Sequence, residues 1–205
     1  MPPLSRNHPG DAVTDALTLL SHDHRLIAAL FAEFGQAGEQ QLDPLARRIC
    51  KMLRVHAQIE EDLFYPVARA ALGEAAVVDE IAAQQVAIEA SIILIESLTS
   101  GQPEFAQAIE ALGTCLREHV ESEERLLFPR IAASRVNLVA LGLALVERRD
   151  TLMRMLGLAD DDDIPALRQL TEQGESLARP LSVDPSRPRA VRERARQDVR
   201  RYRER

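Results

Sequence analysis

The residues best equipped for chemistry occur as a phrase and its copy. His56-Ala-Gln-Ile-Glu60-Glu61 runs on to Phe64-Tyr65-Pro66, and His119-Val-Glu-Ser-Glu123-Glu124 runs on to Leu127-Phe128-Pro129. Each sets a histidine and a glutamate four residues apart, adds a second acid and closes on an aromatic residue and proline. The copies lie 63 residues apart. On a helix, side chains at i and i+4 share one face. An imidazole nitrogen beside a carboxylate is a donor set that a transition metal accepts, iron, manganese or zinc more readily than copper(I). Nothing in the pattern brings a pair of thiolates inward, which argues against an iron–sulfur cluster.

Such pairs need helices to hold them, and the composition supplies helices: alanine, leucine, glutamate and arginine dominate, and tryptophan is absent. Asp11 is the expected N-cap of a first helix ending near Gly35, with Leu17, Leu20, His24, Ile27, Phe31 and Phe34 as its seam. Asp43-Pro44 is the expected start of a second, carrying Ile49, Met52, His56, Glu60, Leu63 and Val67, with Pro66 kinking its last turns. A third runs from about Glu74 to Thr99 with Val78, Ile81, Gln85, Ile88, Ile92 and Ile95 inward. The fourth follows Pro103 and carries Leu112, Cys115, His119, Glu123 and Leu126. Four long amphipathic helices with short connections predict an all-α, up-down-up-down four-helix bundle.

The repeat also relates whole helices. Shifting the first seam by 61 residues lays Leu17 on Val78, Leu20 on Ile81, Ile27 on Ile88 and Phe31 on Ile92, and it lays His24 on Gln85. A duplicated helix pair, hence a pseudo-twofold bundle, is the reading. Its interior would gather His24, His56, Glu60, Gln85, His119 and Glu123. Ionised carboxylates in a core are costly unless paired, hydrogen-bonded or bound to metal. Solvated histidine–glutamate pairs on an exposed face are the plainer alternative, but they do not explain why both pairs fall on apolar seams and repeat.

The chain resembles a hemerythrin-like protein of the HHE cation-binding type. The resemblance rests on Leu19-Leu20-Ser-His-Asp23-His24-Arg25-Leu-Ile27 and the two HxxxEE-aromatic-proline phrases, and covers roughly residues 11 to 134. It implies a non-haem di-iron centre, with His24, His56 and His119 as terminal ligands and Glu60 and Glu123 as bridges. Proteins of this type bind dioxygen, sense oxygen, iron or redox state, or react with peroxide or nitric oxide. One departure matters: the third helix offers Gln85 where the family pattern has histidine. Glutamine is a neutral and poorer ligand, so the site could be more reactive, mononuclear or metal-depleted.

The neighbouring residues have plainer expected roles. Glu89 reads as an ordinary helix acid rather than a substitute ligand, and His22, two residues from His24, as a surface histidine. Glu61 and Glu124 read as hydrogen-bond acceptors beside the ligands or as surface acids. Met52, Cys115 and Cys50 read as core fillers, with oxidation sensing a minor alternative for Cys115. The Tyr65 ring, matched by Phe128 in the repeat, reads as core, with donation from its hydroxyl to a bound oxygen species the alternative.

The remaining organisation is a loose leader over 1–10, the bundle over 11–134, a helical extension over 135–179 and an arginine-rich tail over 180–205. The extension comprises an apolar helix near 136–158 and a short one over 165–178, and the helix over 135–158 or the arginine-rich tail is where a second copy or a protein partner could dock. The net charge of -7 argues against general nucleic-acid binding, and no apolar run is long enough to span a membrane. Two cysteines without a disulfide-rich pattern, and a start with no apolar core resembling a signal peptide, predict a cytoplasmic protein. The expected function is binding, sensing or reacting with a small oxidant. A sensor or interaction module without steady turnover, and a purely structural bundle, are the alternatives; the residues leave open whether it is an enzyme.

Overall fold

The computed structural model describes residues 15–73 and 75–158, and all regular structure among them is helical. Helix α1 (Ala16–Phe34) is capped by Asp15, whose carboxylate accepts from the Leu17 and Thr18 amides, both at 3.0 Å. Asp11, the cap expected from sequence, lies outside the described residues. Helix α2 (Glu39–Ile59) starts before the expected Asp43-Pro44. There Gln41 Oε1 accepts from the Gly38 amide at 3.2 Å, which closes the first turn early. Asp43 is thereby released for another contact: its carboxylate accepts from the Ser100 amide at 2.9 Å and hydroxyl at 2.8 Å, tying α2 to a distant connection.

Past Ile59 the helix widens into a π turn, Glu60–Phe64, before continuing as α3 (Tyr65–Leu72). The Tyr65 amide donates to the Glu60 carbonyl five residues back. The repeat does the same: α5 (Pro103–Ser122) passes through a π turn, Glu123–Leu127, into α6 (Phe128–Ala132), and the Phe128 amide donates to the Glu123 carbonyl. Pro66 and Pro129 account for the position of both turns. Proline has no amide hydrogen and crowds the carbonyl four residues back, so the ladder opens just before it. The kink expected at Pro66 is therefore a π turn, and it shifts the register by one. Leu126, expected inside, is 56 % exposed, while Leu127 and Phe128 are buried.

Helix α4 (Ala75–Glu96) ends before the expected Thr99, because the Thr99 amide donates to Gln102 Oε1 at 2.7 Å and closes the connection to α5. Helix α7 (Leu138–Met155) is capped by Asn137, which accepts from the Ala140 amide at 3.0 Å. Helix α1 packs on α2 and α7, α4 on α5, and α3 on α4 and α6. The leader over 1–10, the short helix expected over 165–178 and the arginine tail lie outside the described residues. None of the described helices is long and apolar enough to cross a membrane.

The core divides into two apolar clusters. One contains Ile27, Leu30, Ile49, Leu53, Ile88, Ile92 and Leu116; the other contains Leu20, Leu63, Phe64, Tyr65, Val78, Ile81 and Leu127. Every bundle helix passes from one to the other at its polar residue: α1 at His24, α2 at His56 and Glu60, α4 at Gln85, α5 at His119 and Glu123. Each fully buried leucine or isoleucine contributes about 1.5–3 kcal/mol, the driving force that holds an ionisable layer away from water. Leu141, Ala144 and Leu145 of α7 complete the second cluster.

Candidate metal centre

The α-helical repeat and the π turns set the geometry together. His56 and Glu60 share a face of α2, and His56 Nε2 stands 3.2 Å from Glu60 Oε1. From α1, His24 Nε2 reaches His56 Nε2 at 3.1 Å and Glu123 Oε2 at 3.2 Å. His119 Nε2 lies 3.8 Å from both Glu60 Oε2 and Glu123 Oε2. All five side chains are buried. One donor atom from each of His24, His56, Glu60 and Glu123 falls within 4.8 Å of the others, a grouping able to hold a metal ion.

Gln85 enters from α4 and is partly buried. Its amide nitrogen donates to Glu60 Oε2 at 2.7 Å and to the Tyr65 hydroxyl oxygen at 3.2 Å. The Tyr65 hydroxyl in turn donates to Glu123 Oε1 at 2.8 Å, with Glu60 Oε2 at 3.4 Å. All six residues singled out in the sequence thus meet in one layer, and the tyrosine joins them. The repeat does not signal this role, because Phe128, which matches Tyr65, has no hydroxyl.

The donor atoms fit a cation. Glu60 Oε1, Glu123 Oε2, His119 Nε2 and the Nδ1 atoms of His56 and His119 are buried without a hydrogen-bond partner. Buried polar atoms are rarely left so, and a carboxylate oxygen without a donor is costly unless something positive meets it. The set is nitrogen and oxygen, which suits a first-row divalent metal.

The electrostatics show the same demand for positive charge. Burial raises the pKa of Glu123 and the Glu60 carboxylate raises it further, against the opposing pull of His24 and His119. Burial would also raise Glu60, but His56 and His119 hold it well below the usual carboxylate range. Burial would lower His24, yet Glu123, Glu60 and Glu124 overcome this and raise it to about 9. His119 is raised by Glu60 and Glu123 in spite of its burial. Burial and both carboxylates push Tyr65 upward, so its hydroxyl keeps its proton. In the metal-free chain the two buried acids thus draw His24 and His119 toward their protonated forms.

Around this layer the neighbours sort themselves. Glu124 Oε1 accepts from His24 Nδ1 at 2.8 Å, and the His24 ring stacks on Phe128 at 5.9 Å. Glu61 is exposed, and Glu89 pairs with Arg54 at 2.9 Å, as an ordinary helix acid does. His22 is partly exposed beside Asp23. Met52 and Cys50 are core, and Cys115 is partly buried. The sequence reading missed Asp23, which is buried and accepts from Arg149 of α7 at 2.7 Å. Its position beside His24 was the available signal, but its partner lies 126 residues away.

Comparison with known proteins agrees with this architecture. The family description "Hemerythrin HHE cation binding domain" matches residues 15–131. A DNA nickase from Nostoc sp. is 32 % identical over 110 residues, covering 53 % of this chain and 31 % of the nickase, so the chain spans about a third of that relative's length. A crystal structure of a hemerythrin HHE cation-binding domain-containing protein from Mycobacterium kansasii superposes with a TM-score of 0.60 at 20 % identity, covering 80 % of this chain and 96 % of that one. At that identity it speaks for the fold.

Proposed function

The chain belongs to the hemerythrin HHE cation-binding family, and from that premise we propose that its buried layer holds a carboxylate-bridged pair of iron ions and binds, senses or reacts with a small oxidant. The observation that carries the reading is a set of buried ligand atoms that face one another without hydrogen bonds: Glu60 Oε1, Glu123 Oε2 and His119 Nε2. In this reading Glu60 and Glu123 would supply the carboxylates, and His24, His56 and His119 the imidazoles, that hold the metal. Gln85 stands at the sixth position. When bound, iron supplies the redox change that dioxygen, peroxide or nitric oxide requires.

The residues of the chain do the rest. Phe64, Leu20, Ile59 and Leu127, all fully buried, keep water from the layer. Tyr65 Oη holds a proton 2.8 Å from Glu123 Oε1, and Gln85 keeps Glu60 Oε2 in a fixed orientation. Four donor groups converge on the His24–His56 side, and a neutral amide stands on the His119 side. The first position therefore loads more tightly than the second.

Iron quantification after anaerobic reconstitution, with an optical spectrum before and after adding oxygen or peroxide, tests this. About two irons per chain and an oxidant-dependent spectrum are expected; less than about one, with no stabilisation by added iron, overturns it. Steady turnover of peroxide or nitric oxide marks an enzyme, and stoichiometric oxidation with a changed assembly marks a sensor.

The likeness to the Nostoc nickase favours a second reading, a protein acting on DNA. Nine arginines between Arg187 and Arg205 would supply phosphate contacts, against the expectation drawn from net charge. Conversion of supercoiled plasmid to open circles by the iron-loaded protein, but not by a His56→Ala variant, would support it. Equal conversion by both, or none, removes it.

A further inference from the structure

Glu124 and Glu61 are the same residue of the repeat, each following a buried glutamate, yet they stand in different surroundings. Glu124 Oε1 lies 2.8 Å from His24 Nδ1. Glu61 is exposed and makes no hydrogen bond or ion pair among the described residues. The helix opposite explains the difference. Glu123 and Glu124 both face α1, which presents an imidazole; the equivalent place on α4 is Gln85.

The π turn makes the double grip possible. In its widened ladder two consecutive acids reach one ring, Glu123 on the Nε2 side at 3.2 Å and Glu124 on the Nδ1 side at 2.8 Å. Phe128, at the end of the same turn, lies against the ring face with an interplanar angle of 10°. The ring is held on two edges and one face by a five-residue turn and the residue after it. His56 Nδ1 and His119 Nδ1, by contrast, have no hydrogen-bond partner.

We propose that Glu124 is the positioning residue of the metal centre: by accepting the Nδ1 proton of His24 it fixes the tautomer that leaves Nε2 free to bind metal, while Glu61, with Gln85 at the place equivalent to His24, has no ring to hold. A carboxylate on the far nitrogen also makes the imidazole a stronger donor. This rests on the metal-centre reading of the site. Glu124 itself need not touch the metal.

The test uses zinc, which is diamagnetic and suits nitrogen and oxygen donors. Full-length wild type and the variants Glu124→Ala, Glu124→Gln and Glu61→Ala are titrated with zinc, and imidazole nitrogen shifts are read by NMR in the loaded state. Wild type should show one imidazole with a strongly hydrogen-bonded Nδ1 proton. Glu124→Ala should lose that signal and bind zinc about 10–100-fold more weakly. Glu124→Gln, whose carbonyl still accepts the proton, should recover the signal and part of the affinity. Glu61→Ala should match wild type. Equal losses in Glu61→Ala and Glu124→Ala, or an unchanged signal in Glu124→Ala, overturn the proposal. If wild type binds neither zinc nor iron, the metal-centre reading fails instead. Because Glu124 is 41 % exposed at its side chain, its removal leaves the fold intact, which circular dichroism checks.

Discussion

Removing the His56 imidazole or the Glu123 carboxylate takes away a buried donor that faces the others within about 4 Å. Alanine at either position should weaken iron or zinc binding by more than about 100-fold, beyond the loss typical of an outer contact. His22→Ala, by the same titration, should change it little, since His22 faces Asp23 rather than the donors. Tyr65→Phe keeps a ring that the repeat shows to be accommodated at Phe128, but leaves Glu123 Oε1 without its donor. The metal-free protein should lose about 1–3 kcal/mol in urea denaturation. A pH effect follows from His24. Its pKa is raised from 6.5 to about 9 in the folded, metal-free chain. The stabilisation this gives is fully present below 6.5 and is lost as pH rises through about 9. Metal must displace that proton, so the gain in melting temperature on adding zinc should grow over the same interval.

At the scale of elements, the π turns and α7 decide how the ligand residues are presented. Each π turn begins on a proposed bridging glutamate and ends against a proline helix, so the backbone that carries Glu60 or Glu123 is fixed by the next turn. Helix α7 is fastened to α1 and to the first π turn. Arg149 donates to the buried Asp23, next to His24, and Arg148 Nε donates to Asp62 of the first π turn at 2.7 Å. These pairs differ in environment and hence in worth. Arg149→Ala leaves a buried carboxylate without its main partner and should destabilise the protein by about 2 kcal/mol. Arg148→Ala breaks a pair that is about one-third exposed on both sides and should cost under about 1 kcal/mol. Urea denaturation of the two variants compares them directly. Equal losses would mean that α7 is held by its apolar face alone.

For the whole molecule, two apolar clusters enclose an ionisable layer, so the layer and the clusters must stand or fall together. Metal bound at 100 times its dissociation constant should add about 2.7 kcal/mol to stability, measurable as a lower melting temperature after chelation. The division into a bundle over 11–134 and an extension from 135 onward is a proposal about sequence organisation. The packing of Leu141, Ala144 and Leu145 into the second cluster gives it a physical limit. A chain ending at 134 should expose that cluster and aggregate, whereas one ending at 179 should keep its metal. Size-exclusion chromatography with metal analysis distinguishes the two.

The sequence by itself determined the helices, the pairing of seams and the residues of the polar layer. Those are local properties: a period of three and four, proline starts, and ionisable residues in places where aliphatics belong. The duplicated phrase made His56, Glu60, His119 and Glu123 legible, and the shift by 61 residues brought His24 and Gln85 into register with each other. Tertiary structure decided what each side chain does once there. It put the Gln85 nitrogen on Glu60, gave Tyr65 a proton-donating role that its repeat partner cannot share, and separated Glu124 from Glu61. It also paired Asp23 with Arg149 and turned Leu126 outward through a π turn. None of these follows from periodicity, because each depends on which helix stands opposite, and a single residue of widening in the backbone ladder is enough to change which side chain faces it.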